Sequence, residues 1–271
     1  MSLAHLARPS LLTLSHGSRH PAAARGIEAL TQTAAQAQGF GSGDFAAAHL
    51  EFNEPTLGDA AIALAERGHR AAIVVPLLFS NGYHQRVDVP AELDAAHAAS
   101  GLTLLRAPGL GLGADVEECL ARHVRRSAYT DSGQRLRVVV YAVGSATPGA
   151  NEAVGEFAQR VGRRLGVPAT AAFATRGGVK AVFDAARACQ PGERVVVIPL
   201  FVTAGLLLDR LSQAVREGGD AEAGDTVHDR IVVLPPLREA LADVVAQRYA
   251  DTAAALATTP SAAMPTSERQ G

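Results

Sequence analysis

The sequence predicts an α/β protein of two similar domains, each a parallel four-stranded sheet flanked by helices, with a cleft between them. Three observations carry this expectation. Short apolar runs alternate with longer amphipathic or Ala-rich stretches, the pattern of βα units around a parallel sheet. The alternation pauses at residues 127–135 (SAYTDSGQR), a polar, Gly-containing stretch, and then begins again. The two runs also match residue for residue: Ser15-His16-Gly17-Ser18 aligns with Ala142-Val143-Gly144-Ser145, Val74-Val75-Pro76-Leu77 with Val197-Ile198-Pro199-Leu200, and Asn81-Gly82-Tyr83-His84 with Ala204-Gly205-Leu206-Leu207.

Taken in order, strands are expected at residues 11–15, 45–52, 71–79 and 102–106, with helices at 22–38, 56–67, 90–99 and 114–128. The second copy places strands at 136–143, 168–175, 194–202 and 227–234, and helices at 149–165, 177–188, 206–217 and 237–256. Gly17, Gly68 and Gly101 fall where elements should end. The expected division is an N-terminal domain over 1–130, a C-terminal domain over 131–257 and a disordered tail over 258–271, small, polar and Pro-containing. Residues 218–225 (GGDAEAGD) read as an exposed acidic loop.

A chain of 271 residues with a net charge of −2 has neither the basic excess of a nucleic-acid binder nor that of a membrane-surface binder. No apolar run is long enough to cross a bilayer and residues 1–10 carry no secretion signal, so the cytoplasm is the expected compartment. Cys119 and Cys189 are far apart, fall in helix-like segments and have no zinc spacing. Both are expected in or near the core.

Three polar side chains stand at the ends of the first three strands: His16 after the first, Glu51 at the end of the second, His84 in the loop after the third. Parallel strands share one carboxyl-terminal rim, so groups distant in sequence converge there. Two imidazoles and a carboxylate suit a divalent first-row metal, with softness fit for Fe, Co, Ni or Zn. An isolated His16 could instead cap the following helix. Arg19 and Arg86 flank the histidines and would place positive charge where a polycarboxylate could dock, the alternative being ordinary solvated charge. Glu54 and Asp88 read as helix-start residues. His20 is a candidate to orient His16, whereas His5, His49, His69, His97, His123 and His228 read as surface or helix-face residues. Phosphohistidine chemistry at His16 is a rival, disfavoured because the chain has no P-loop and because Glu51 and His84 would then have no task.

In the second copy the glycines persist and the histidines do not. Glycine serves backbone geometry that both halves need, and imidazole serves chemistry that only the first performs.

The ordered set His16-Gly17-Ser18-Arg19, Glu51-Phe52-Asn53-Glu54-Pro55-Thr56, Pro76-Leu77-Leu78-Phe79, Gly82-Tyr83-His84 and Asp88-Val89-Pro90 resembles the sirohydrochlorin chelatases, in their long two-domain form. The resemblance implies chelatase-like domains and insertion of Fe²⁺ or Co²⁺ into sirohydrochlorin, Fe²⁺ first, in siroheme or cobalamin biosynthesis. It implies no organic cofactor, the divalent metal being a substrate. His16, His84 and Glu51 would handle metal and protons, while Gly17, Ser18, Arg19, Tyr83 and Arg86 would hold the macrocycle. The second half carries Val143, Thr175 and Leu207 in place of His16, Glu51 and His84. One active site per chain is therefore expected, closed by a second half that lends Arg176 or Arg210 to substrate carboxylates. Val143→Ala and Leu207→Ala should change stability more than chemistry. A non-catalytic carrier of metal or tetrapyrrole is the alternative function. Partners are limited to the macrocycle and metal, with no nucleic acid and no membrane, in a monomer or homodimer.

Overall fold

The computed structural model describes residues 8–80, 89–127, 135–218 and 227–258. The first half is built from strands β1 (Ser10–Ser15), β2 (Phe45–His49), β3 (Ala71–Pro76) and β4 (Thr103–Arg106). They alternate with helices α1 (Ala23–Ala37), α2 (Leu57–Glu66), α3 (Val89–Ser100) and α4 (Ala114–Arg125). The second half repeats the series with β5 (Arg135–Ala142), β6 (Ala169–Phe173), β7 (Glu193–Pro199) and β8 (Ile231–Val233). Its helices are α5 (Ala150–Leu165), α6 (Gly178–Arg187), α7 (Leu206–Arg216) and α8 (Ala242–Thr258). Each half forms a four-stranded sheet, in order β2-β1-β3-β4 and β6-β5-β7-β8, and every pairing is parallel. The expected fold class is the one observed. The registers repeat too: Leu14 opposes Pro76 as Tyr141 opposes Pro199.

β1 and β3 are buried along their whole length because both faces are covered, the hydroxyls of Ser10, Thr13 and Ser15 included. One face of the first sheet, with Leu12, Leu14 and Val74, packs against Leu57, Leu64 and Leu93 of α2 and α3. The equivalent face of the second sheet, with Val139, Tyr141 and Val197, packs against Phe183, Leu208 and Leu211 of α6 and α7. The remaining faces meet in one shared core, where Leu11, Ile73 and Val75 join Val138, Val140 and Ile198 through α1, α4, α5 and α8.

The last helix of each half lies on the other. α8 packs on α1 and β3, and α4 packs on α5 and β7. Polar contacts fix both crossovers. Tyr249 Oη donates to Pro9 O at 2.6 Å, and Arg248 donates to the carbonyls of Gly109 and Leu110 while pairing with Asp115 at 2.7 Å. On α4, Glu117 is only 7 % exposed and receives the guanidinium of Arg160 and, at 3.4 Å, that of Arg164 from α5. A carboxylate so placed is tolerated because it is paired.

Several elements depart from expectation, among them β3 and β7, which end at Pro76 and Pro199, three residues before the expected ends. β2 stops at His49: the chain bends over residues 50–55, although Leu50 and Glu51 keep backbone bonds to Ser15 and His16. The polar His228-Asp229-Arg230 folds as a 3₁₀ turn, which leaves only Ile231–Val233 to pair with β7. The last helix opens with a 3₁₀ turn at Arg238–Leu241, because the backbone N–H groups of Leu237 and Arg238 are drawn to the carbonyls of Phe201 and Val202. Residues 128–134, 219–226 and 259–271, most of the expected linker, acidic loop and tail, lie outside the described residues, as does Asp88. Among the described residues no helix is long and apolar enough to cross a membrane. Cys119 and Cys189 are buried and unpaired with one another, and burial raises both thiols, Cys119 to about 11. Neither is a thiolate near neutral pH.

Candidate active site

Both sheets reverse their direction of winding between the first and third strands, at β1/β3 and at β5/β7. Ligands bind beyond the carboxyl ends of strands at such points. Here the two reversal points face one cleft of about 520 Å³ between the halves, lined by His16, Gly17, Ser18, Arg19, Phe52 and Phe79 from the first and by Val143, Phe201, Leu206 and Leu207 from the second. That volume is within the usual range for small-molecule sites.

Two loops of the first half are locked into one unit. The backbone pairing of β1 with β2 continues past both strands, with Leu50 N donating to Ser15 O at 2.9 Å and Glu51 N to His16 O at 3.0 Å. Glu51 is thus brought beside His16 although it lies two residues beyond the strand. Gly17 makes this approach possible: its φ is +89°, and a Cβ there would fall 1.7 Å from Glu51 O. The next residue closes the clasp, Ser18 N donating to Asn53 Oδ1 at 2.8 Å. Asn53 belongs to a motif evident in the sequence, but its task of holding the histidine loop requires the fold to be seen. Helix α2 then starts at Thr56, whose side chain accepts from Asp59 N while Asp59 caps Thr56 in return, so Asp59 and not Glu54 is the first-turn acid.

His20 accepts from Ala22 N at its Nδ1, so Nε2 carries the proton and donates to Asp209 of α7, in the second half, at 3.2 Å. It ties the halves together and does not orient His16 through any contact in the described residues.

His49 corrects the expectation of a surface residue. It is 2 % exposed, lines the cleft floor and meets Ser15 Oγ through Nδ1 at 2.7 Å. Its Nε2 is buried with no hydrogen-bond partner among the described residues. Desolvation pushes its pKa down and so favours the neutral ring, an effect partly offset by the Glu28 carboxylate. The signal was the parallel register, in which Ser15 and His49 are opposed.

Arg19 lies over the Phe52 ring, 4.8 Å from its centroid, at the cleft. Glu51 is exposed on the loop above. Arg176 donates to Ser145 O at 3.0 Å, and neither it nor the exposed Arg210 lines the cleft. Tyr83, His84 and Arg86 lie outside the described residues. Among the described residues no three His, Cys, Asp or Glu side chains form a ready-made metal cage.

The family model for CbiX matches residues 10–127 and again 137–252, together most of the chain. The chain belongs to the CbiX family. A protein named sirohydrochlorin cobaltochelatase from Sulfurisphaera tokodaii is 36 % identical over 75 residues, covering 28 % of this chain and 60 % of that relative. The chain therefore matches less than two thirds of that relative's length. The fold is shared with the sirohydrochlorin chelatase SirB from Bacillus subtilis subspecies spizizenii in complex with cobalt, at a TM-score of 0.70 and 18 % identity, over 92 % of this chain and 96 % of that one. It is shared also with CbiX, the terminal enzyme for siroheme biosynthesis in denitrifying bacteria, at a TM-score of 0.60 and 22 % identity, over 89 % and 98 %.

The second CbiX repeat keeps the loop geometry of the first. Gly144 has φ +93°, and Ser145 N donates to a side-chain amide oxygen, Asn151 Oδ1, at 2.9 Å, as Ser18 does to Asn53. The side chains at the positions of His16 and Glu51 differ: Thr175 turns its hydroxyl to Val143 O at 2.8 Å, and Val143 is 44 % exposed at the cleft. Val143 is accordingly no core residue, and truncating it removes cleft surface more than stability. The expectation of a chiefly structural effect is corrected on that ground.

Proposed function

We propose that this chain inserts a divalent metal, Fe²⁺ or Co²⁺, into sirohydrochlorin, with residues 1–130 carrying the active site and residues 131–257 closing the cleft. The observation that carries the reading is the Gly17 approach, which brings Glu51 and His16 to one rim in a chain whose two halves both match CbiX. The name of the Sulfurisphaera relative and the cobalt complex of SirB favour the same substrates.

Insertion exchanges two pyrrolic protons for one dication, so the site must hold a partly desolvated metal briefly and give two protons somewhere to go. A neutral imidazole does either near neutral pH. In this reading His16 and His84 present the metal to the ring face, and Glu51, open to solvent, balances its charge and passes protons outward. Arg19, with Tyr83 and Arg86 further along the sequence, holds peripheral carboxylates; the backbone N–H groups of Gly17 and Ser18, expected to share that task, are instead engaged by Ser15 Oγ and Asn53 Oδ1. Arg176 and Arg210 are exposed on the second half and receive no role in the closed cleft. The metal is a substrate, and no organic cofactor takes part. Iron would place the reaction in siroheme synthesis and cobalt in cobalamin synthesis.

The test is an anaerobic absorbance time course of sirohydrochlorin with Fe²⁺ and, separately, Co²⁺, for the wild type, His16→Ala and a protein-free control. Multiple turnovers with one ion, lost in the variant, are expected and name the metal. Rates equal to the protein-free control with both ions overturn the enzyme reading; tight macrocycle binding in that case would mark a carrier.

A further inference from the structure

Large apolar side chains are normally withdrawn from solvent, yet among the described residues four are well exposed: Phe52 at 52 %, Leu206 at 48 %, Val143 at 44 % and Ile62 at 37 %. Three of the four, all but Ile62, line the same cleft, Phe52 from the first half and the other two from the second. Phe52 is also strained. Its φ is +65°, a region that a bulky residue rarely occupies and that glycine or asparagine would fill at lower cost. Strain kept at a site calls for a function that the relaxed residue would not perform. Its ring stands 6.2 Å from that of His16, tilted by 55°, with the Arg19 guanidinium on it. An aromatic face, an imidazole and a guanidinium are thereby gathered at one wall.

The second half's share of the lining includes the position that aligns with His16. In the second repeat that position is Val143, held by the same glycine turn at Gly144 and aimed at the same cleft. The second repeat thus presents an apolar side chain at the place where the first carries an imidazole. Flat conjugated rings are recognised by such surfaces, with charged groups at the edge, and each well-packed aromatic contact adds to the gain from buried area.

We infer that Phe52 and Val143 are the two jaws that position a flat macrocycle in the cleft: the Phe52 ring, fixed by its left-handed backbone, packs on one face, and Val143 with Leu206 packs on the other. The inference rests on the proposed reading that the ligand is a tetrapyrrole. Phe52 and Val143 are positioning residues and act on the macrocycle with or without metal.

The test is titration of metal-free sirohydrochlorin, followed by its absorbance and fluorescence, into the wild type, Phe52→Gly, Phe52→Leu and Val143→Asp, each also melted without ligand. Wild-type binding is expected, weakened about tenfold or more by Phe52→Gly and by Val143→Asp and less by Phe52→Leu, which keeps apolar bulk without the ring. Phe52→Gly should at the same time melt no lower than the wild type, because it relieves the backbone. A folded Phe52→Gly and Val143→Asp that bind as tightly as the wild type would overturn the jaws and leave the chelatase reading standing. A wild type that binds no macrocycle overturns the proposed function itself. A Phe52→Gly that melts well below the wild type shows that Phe52 is retained for stability, and also counts against the inference.

Discussion

Ser15 Oγ lies 2.7 Å from His49 Nδ1 in the floor of the cleft, side by side on adjacent parallel strands, and the same hydroxyl accepts from Gly17 N at 3.2 Å. One side chain therefore holds both the buried imidazole and the first turn of the histidine loop. Ser15→Ala removes both bonds and leaves a buried ring nitrogen unsatisfied. The expected loss is about 1–3 kcal/mol of unfolding free energy. Denaturant unfolding of the variant measures it, and a loss below the error of the fit would show that the pair is energetically idle.

His49 should also give the fold an acid limb. Its folded pKa lies below the ordinary 6.5 because burial disfavours the imidazolium, with Glu28 opposing. Below 6.5 the unfolded chain takes up a proton that the folded chain resists, so stability rises with pH across that window. The contribution is full above about pH 6.5 and is lost as pH falls toward the lowered folded value. His49→Phe should flatten the dependence of unfolding free energy between about pH 7 and about pH 5. An unchanged slope in that variant would assign the acid limb to other groups.

Gly17 and Gly144 occupy equivalent turns with the same positive φ, but their surroundings differ. A Cβ at 17 would strike the Glu51 carbonyl at 1.7 Å, whereas at 144 it would meet the Thr175 hydroxyl at 2.6 Å and the Phe173 Cβ at 3.1 Å. The Glu51 backbone cannot yield without moving its loop, whereas at 144 the overlap is smaller and falls on side chains. Gly17→Ala should therefore cost ~3 kcal/mol or more, and Gly144→Ala less, nearer the ~1–3 kcal/mol of the strained φ itself. Thermal unfolding of both variants checks the order. On the proposed reading Gly17→Ala should also lower metal insertion, because the Glu51 loop is displaced from His16, and the absorbance time course of sirohydrochlorin reads the loss.

The link between α4 and α5 offers a separate test. Glu117 is nearly buried and depends on Arg160 and Arg164. Arg160→Met removes the closer partner and leaves a poorly compensated carboxylate between the halves. The expected cost is about 3 kcal/mol, and Glu117→Gln in the same chain should recover part of it. Chemical denaturation of the single and double variants gives the coupling, and strict additivity would refute the dependence.

Strand and helix placement, the repeat and the glycine turns were legible in the sequence because each follows from local pattern: apolar runs, amphipathic stretches and the paired Gly17 and Gly144. The rim of His16 and Glu51 followed from the shared direction of parallel strands. What escaped depends on contacts between distant segments. His49 looked like any histidine after an Ala run until strand register set it against Ser15. Asn53 has its meaning only in the bond to Ser18 N, and the left-handed backbone of Phe52 leaves no mark in composition. The exchange of α4 and α8 between halves was hidden for the same reason, since an amphipathic helix does not say which sheet it covers.

Gly26 joins helix propensity to closure of the cleft. It sits inside α1, where alanine is ordinarily better by about 0.5–1 kcal/mol. A Cβ at this position would fall 2.1 Å from Thr203 Oγ1 and 3.2 Å from Thr203 Cβ, on the segment between β7 and α7 that faces α1 across the halves. That hydroxyl also donates to Ala23 O at 3.3 Å. Gly26→Ala in the wild type should thus destabilise, because the clash outweighs the helix gain. In a Thr203→Ala background, where Oγ1 is gone, the same substitution should change sign and stabilise by up to about 1 kcal/mol. A double-mutant cycle by denaturant unfolding reads the sign directly. Equal effects in both backgrounds would mean that the halves do not bear on each other at this point, and that Gly26 is kept there for some reason other than their approach.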